Sequence, residues 1–156
     1  MAVNYQDYDP ETIEQAAIAA VQSLKTAGTV RTLEPYGGQL SVEEIEEITP
    51  LFPAIFVIWG GAEVREHNRA DGAGTALTFI VADKNLRGTD AARRGATSSE
   101  APGVYSLLKS IRGLVHGKTL VAGWYPARVI REAPMAYDPQ GGIAIYEAVY
   151  EMKTRT

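Results

Sequence analysis

The chain has 156 residues, of which 46% are hydrophobic, and its formal net charge is −4. A chain of this length and composition buries roughly 70% of its unfolded surface, so we expect one globular domain over residues 1–156. The acidic balance argues against broad binding to nucleic acid or anionic membranes, and the absence of cysteine excludes disulfides, thiol nucleophiles and cysteine-ligated zinc.

The N-terminal part of the chain predicts a helix over residues 10–27. An N-cap, a first-turn proline and an acidic residue open it at 9–11, and Gly28 suits its end. A short run rich in β-branched residues at 29–33 indicates a strand. A capping box then predicts a short acidic helix over 42–48. Its consecutive glutamates point in different directions, which favours a solvated face over a metal site.

A long β-hairpin is predicted for the middle of the chain. Residues 52–59 are almost continuously apolar, which is typical of a buried central strand. A turn signal at 68–72 precedes a second strand over 75–83, whose apolar residues alternate. The segment between these strands is charged, so we expect the tip of the hairpin to reach beyond the core.

Residues 84–100 show neither helical nor strand periodicity. Four basic residues against Asp90 and Glu100 make this segment locally positive in an acidic chain. Unpatterned segments of this length are usually functional or disordered. We therefore expect this segment to be mobile in an isolated subunit and at least partly ordered by neighbouring subunits in an assembly. Because arginine pairs readily with carboxylates of an adjacent subunit or partner, three of the four basic residues are predicted interface residues: Arg87, Arg93 and Arg94. The alternative is a solvated loop whose charges only aid solubility.

The strongest helical pattern lies between residues 101 and 117. Its apolar residues recur at i, i+3, i+4 and i+7 and predict a core helix over 103–116. Ser98 or Ser99 can cap its start, and Gly117 suits its end. The apolar positions are Val104, Leu107, Leu108, Ile111, Leu114 and Val115.

Two strands are predicted after this helix, over 127–132 and 143–153, with a turn at 138–142 before the second. The last strand alternates between two differently composed faces, which suits a sheet that is packed on one side and partly engaged by another subunit on the other. The predicted fold class is therefore α+β: a mixed, mostly antiparallel sheet packed by two main helices, with an extended β-hairpin.

No residue pattern predicts a catalytic, cofactor-binding or metal site. His67 and His116, the two histidines, stand outside the motifs of hydrolases and metalloproteins. Trp124 and Tyr125 are adjacent aromatic residues that precede a predicted strand. They are candidate contacts between subunits, where aromatic residues are enriched, and ordinary packing explains them equally well.

Four hydrophobic stretches, in their order and spacing, carry a resemblance to a known family. They read PAIFV at 53–57, TFIVADKNLRG at 78–88, GVYSLLKSIRGLV at 103–115 and IYEAVY at 145–150. The chain resembles the tail terminator, or tail-completion, proteins of Mu-like contractile-tailed phages, from its first helix to its last strand.

The resemblance implies a structural virion protein that is not an enzyme. Such a subunit forms a ring, expected to be a hexamer, at the head-proximal end of the tail. The ring caps the tail tube, stops its polymerisation and joins tail to head. Its partners are copies of itself and the tail tube protein, with sheath and neck proteins as further partners, and assembly takes place in the host cytoplasm. No cofactor, membrane or sequence-specific nucleic acid is implied, although DNA passes through such a ring.

Two other classes of protein remain open from the sequence. A neck or head-tail connector protein is also a ring component and differs in binding the portal side instead of the tube side. A small ligand-binding domain or enzyme would instead show a deep polar pocket with convergent side chains.

Overall fold

The structure, a computed structural model, describes residues 9–37, 52–65, 72–85, 88–95 and 102–154. Three helices and five strands lie within these ranges, which confirms the predicted α+β class. In chain order they are α1 (Pro10–Thr26), β1 (Thr32–Pro35), β2 (Ala54–Arg65), β3 (Gly72–Lys84), α2 (Thr89–Arg94), α3 (Val104–Val115), β4 (Arg128–Asp138) and β5 (Ile143–Lys153).

The five strands form one mixed sheet in the order β1-β2-β3-β5-β4. β1 runs parallel to β2, and the other three pairings are antiparallel, as the sequence predicts. β2 and β3 form the predicted long hairpin, which continues past Gly74, the last β3 residue that pairs with β5, to the pair Arg65 and Gly72. The acidic helix predicted for 42–48 lies outside the described residues.

Both main helices pack on the same face of the sheet. Ile13, Ala17 and Val21 of α1 and Leu107 and Ile111 of α3 are buried in one cluster with the inward-facing residues of the strands. Those strand residues include Ile55, Val57, Leu77, Phe79, Val81, Ala148, Tyr150 and Met152. Each helix has a single apolar stripe and one sheet face on which to bury it, so the sequence pattern fixes this layer.

The prediction of one unpatterned segment over 84–100 is wrong in part. β3 continues to Lys84, and α2 forms from Thr89 to Arg94. A helix of six residues is too short to show a helical period in the sequence. Its one buried residue, Ala92, belongs to the main core cluster, so packing against α3, β3 and β5 stabilises the helix.

The start of α3 also differs from the sequence expectation. Its N-cap is Gly103, which makes no side-chain capping bond, whereas Ser98 and Ser99 lie outside the described residues. Gly103 has φ +83° and ψ 154°, a conformation that is nearly restricted to glycine. A Cβ at this position would also overlap the backbone of Arg94 and Gly95 at the end of α2. The absence of a side chain therefore lets α2 and α3 approach each other.

Substitution of Gly103 by alanine is expected to destabilise the protein by more than about 3 kcal/mol, because backbone strain and steric overlap add. The matched control is Gly113→Ala, in the exposed interior of α3, where an added Cβ meets nothing within 4 Å. That variant should be more stable by about 1 kcal/mol, since alanine favours a helix over glycine. Chemical denaturation of the native protein and the two variants measures both effects. A loss of stability well below about 3 kcal/mol in Gly103→Ala would contradict the close approach of α2 and α3.

Candidate assembly surface

Most of the large exposed hydrophobic side chains of the described residues lie on the edge strand β4 or next to it. Among the described residues there are five, each between 42% and 56% exposed: Tyr105, Tyr125, Ile130, Met135 and Tyr137. Three lie on β4, the strand at the edge of the sheet; Tyr125 precedes that strand, and Tyr105 lies on α3 beside it. We call these five residues the β4 surface. Apolar residues clustered in this way mark an interaction site more often than apolar residues scattered singly.

Two β-bulges shape the β4 surface. The pairing of β4 with β5 shifts register between Val129 and Arg131 and again between Pro134 and Ala136. Ile130 and Met135 are the unpaired residues at these two shifts, and both are about half exposed. Bulges and an internal proline disfavour the addition of a further strand to an edge. The β4 surface is therefore suited to side-chain contacts and not to extension of the sheet.

His116 and the turn after α3 secure the first residues of β4. The Gly117 N–H donates to the Ala127 carbonyl at 2.8 Å, and the Ala127 N–H donates to the Lys118 carbonyl at 2.9 Å. The Val129 N–H donates to Nδ1 of His116 at 3.1 Å. This hydrogen bond gives the histidine a structural role at the edge of the sheet.

A cavity of about 830 Å³ lies beside this turn, and we call it the β4 cavity. Part of its lining is apolar, from Tyr125, Pro126, Val129 and Ile130. The charged part consists of two cations and one carboxylate: Arg128, Lys153 and Glu151. Glu151 lies 3.5 Å from the Nζ of Lys153, whereas Arg128 is exposed and forms no ion pair within the described part of the chain.

The other end of β4 carries a cluster of tyrosines. The Tyr146 hydroxyl lies 2.6 Å from that of Tyr137 and 3.3 Å from that of Tyr105, and both neighbouring rings meet the Tyr146 ring edge to face. The guanidinium of Arg93 stands over the Tyr137 ring at 5.7 Å. Burial raises the pKa of Tyr146, and hydrogen bonding to Tyr146 raises the pKa of Arg93. The cluster thus holds the guanidinium cation of Arg93 over an aromatic ring.

The predicted interface residues have different surroundings. Arg93 is held inside its own subunit, by the Tyr137 ring and by Asp90 at 2.8 Å. Arg94 has a side chain that is 70% exposed, with its Nε 3.2 Å from Asp90. Arg87 lies outside the described residues.

The two candidate aromatic residues are separated by burial. Trp124 is 1% exposed and belongs to the core, so its side chain offers no surface to a second subunit. Tyr125 is 50% exposed and borders the β4 cavity. Trp124 therefore packs within its own subunit, and of the two residues only Tyr125 remains a candidate contact residue.

Asp83 is a buried carboxylate that links β3 to α3. Its oxygens accept from the Lys84 N–H at 2.7 Å and from the Gly103 N–H at 2.9 Å, and the residue is 2% exposed. Burial raises its pKa to about 6, against the opposing effect of these two hydrogen bonds. The carboxylate thus stabilises the entry to α3 through hydrogen bonds, at an electrostatic cost when it is ionised.

Because the pKa of Asp83 is higher in the folded protein than its ordinary value of 3.8, protonation favours the folded state. The contribution of this group to stability should rise by about 2 kcal/mol as pH falls from 7 to 4. Asp83→Asn cannot titrate, so the difference in unfolding free energy between the native protein and this variant should increase by that amount over this range. Urea unfolding at a series of pH values measures the difference, and a constant value would contradict the raised pKa.

The described residues show no group of three histidine, aspartate or glutamate side chains that could hold a metal ion. Within the same ranges, no helix has both the length and the apolar character needed to cross a membrane.

The chain matches a family model described as Bacteriophage Mu, Gp37, over residues 11–153. It is also similar to a chain in the solved structure titled "Virion of native gene transfer agent (GTA) particle", with a TM-score of 0.54 and 12% sequence identity. That alignment covers 92% of this chain and 95% of the other, and at such low identity it shows a shared fold. No curated protein matches the chain.

Proposed function

The chain belongs to the Bacteriophage Mu Gp37 family, and we propose that it is a structural subunit of a contractile-tailed phage or prophage virion. In this proposal six subunits form a ring at the head-proximal end of the tail. The ring caps the tail tube, stops its polymerisation and joins tail to head. The family match over residues 11–153 carries the proposal, and the resemblance to tail terminator proteins supplies the specific role.

The distribution of exposed apolar side chains supports a role in assembly. The five large exposed hydrophobic residues of the described chain, which form the β4 surface, lie on β4 or next to it, at one edge of the sheet. A subunit that acts alone gains nothing from this arrangement, whereas a ring subunit buries such a surface against its neighbour or the tube.

The β4 cavity supports binding of a protein more than catalysis. It is an open groove beside an edge strand, and the histidine that lines it is occupied by a backbone hydrogen bond from Val129. Nucleophilic or acid-base chemistry requires side chains that converge on one point with a free base. The cavity instead combines apolar walls with a few charges, as a polypeptide contact does. We therefore propose a role without chemistry or a cofactor.

The proposed partners are copies of the same chain and the tail tube protein, with sheath and neck proteins as further contacts. Tyr125 and Arg94 are the proposed contact residues, since both side chains are exposed. Arg87 remains proposed from the sequence. Arg93 would act through the position in which Tyr137 and Asp90 hold it. DNA would pass through the lumen of the ring without sequence-specific contacts.

Electron microscopy and native mass spectrometry of the purified protein test the ring. We expect closed six-fold rings with the mass of six subunits. A second assay adds the protein to polymerising tail tube protein, and tubes should then stop growing at their capped ends. A protein that stays monomeric at all concentrations would refute the proposal. Rings that bind the portal side and leave tube growth unchanged would instead identify a neck connector.

A further inference from the structure

One row of residues crosses the sheet and links two opposite sides of the subunit. Trp59 of β2 pairs with Leu77 of β3, which pairs with Tyr150 of β5, which pairs with Val129 of β4. Among the described strands, β2 is outermost at this level, because β1 pairs with it only as far as Val57. The two ends of the row therefore face opposite directions at the same height of the molecule.

The N-terminal turn of α1 lies at the β2 end of this row. The Trp59 N–H donates to Oε1 of Glu14 at 2.9 Å, which fixes the turn beside the strand. Asp9, the N-cap of α1, and Glu11, in its first turn, precede Glu14, and both are exposed. Asp9 caps the helix through the Glu11 N–H at 3.0 Å and the Thr12 hydroxyl at 3.1 Å. The carboxylate of Glu11 forms no ion pair within the described part of the chain, so this end of the row is acidic.

The β4 cavity lies at the opposite end of the row, where His116 holds Val129. Its charged lining has an excess of one positive charge, and Arg128 is the cation without an ion pair in the described ranges. Tyr125, Pro126 and Ile130 supply apolar parts of the lining. A cavity of about 830 Å³ is large enough for a few side chains of a polypeptide turn.

We propose that the β4 cavity of one subunit receives the N-terminal turn of α1 from a second copy of the chain, with Glu11 of the second copy paired to Arg128. The two surfaces differ, so the contact is heterologous, and heterologous contacts repeated by rotation close into rings. Because the surfaces lie at the same height on opposite sides of the sheet, neighbours related by the ring axis present them to each other. This inference rests on the proposed ring and assigns the surfaces that build it.

Charge complementarity favours a second copy over another occupant. Each subunit carries a net charge of −4, so subunits repel one another unless opposite charges meet locally at the contact. Glu11 and Arg128 provide one such unpaired opposite pair within a single chain. The bulges and Pro134 disfavour strand addition along the same edge, which leaves side-chain docking as the mode of contact.

A charge-swap experiment tests the contact. Arg128→Glu and Glu11→Arg each place like charges opposite one another, so the subunit concentration at which half of the protein is assembled should rise by about tenfold or more. The double variant restores opposite charges and should return this concentration close to that of the native protein. Analytical ultracentrifugation measures it, and the effect of each single variant should shrink as salt is raised.

Two further variants keep the result interpretable. Lys109→Glu makes the same charge change at an exposed position of α3 and should leave assembly unchanged. Glu11→Gln removes the pair without placing a cation at a helix N-terminus, where it would destabilise α1. This variant should also weaken assembly, while circular dichroism shows an unchanged fold.

Each outcome decides the proposal. Single variants that assemble like the native protein, or a double variant no better than the weaker single one, overturn the contact and leave the ring intact. If the Arg128→Glu variant still forms rings of the native shape but no longer stops tube growth, the β4 cavity binds the tube protein. That result would also overturn the proposed contact between subunits. A native protein that remains monomeric refutes the ring and the contact together.

Discussion

Burial of the apolar stripe of α3 against one face of the sheet is the contact around which this subunit is built. Leu107 and Ile111 lie in the same cluster as Phe79 and Tyr150, on the two strands at the centre of that face. The carboxylate of Asp83 fixes the start of the helix by accepting the Gly103 N–H. Every other packed element borders this layer: α1 lies beside α3, and α2 closes the gap between α3 and the sheet.

The position of α3 determines what the edge of the sheet exposes. The chain leaves the helix at His116, whose Nδ1 accepts from the Val129 N–H, and the turn that follows bonds to Ala127. β4 therefore begins beside the end of the helix. Arg112, in the last turn of α3, pairs with Glu132 of β4 at 2.7 Å. Beyond these contacts β4 has no outer neighbour in the described ranges, and its two bulges present Ile130 and Met135 to the outside. The proposed assembly surface is thus a consequence of how the core helix ends.

The charges of the subunit follow the same geometry. The row from Trp59 to Val129 is a continuous set of paired residues, with a carboxylate-rich helix turn at one end and Arg128 at the other. Pairing across the sheet sets the separation of these two ends, and a repeated contact between identical subunits requires a defined separation. The chain has a net charge of −4, so local pairing is the means by which such subunits can approach.

The sequence by itself determined the elements that have a long, regular pattern. A 3.6-residue period over α1 and α3 and a two-residue period over β5 each require one buried face, so these elements and their shared layer could be predicted, as could the hairpin of β2 and β3. The helix at Thr89–Arg94 could not be predicted, because six residues show no period and Ala92 is buried only after distant strands have met.

The assembly surface could not be predicted from the sequence either. Trp124 and Tyr125 are adjacent aromatic residues, and only their positions relative to β5 and α3 make one a core residue and the other exposed. Ile130 and Met135 are exposed because the register of β4 against β5 shifts at those points, and strand register is a property of two segments that no single segment encodes.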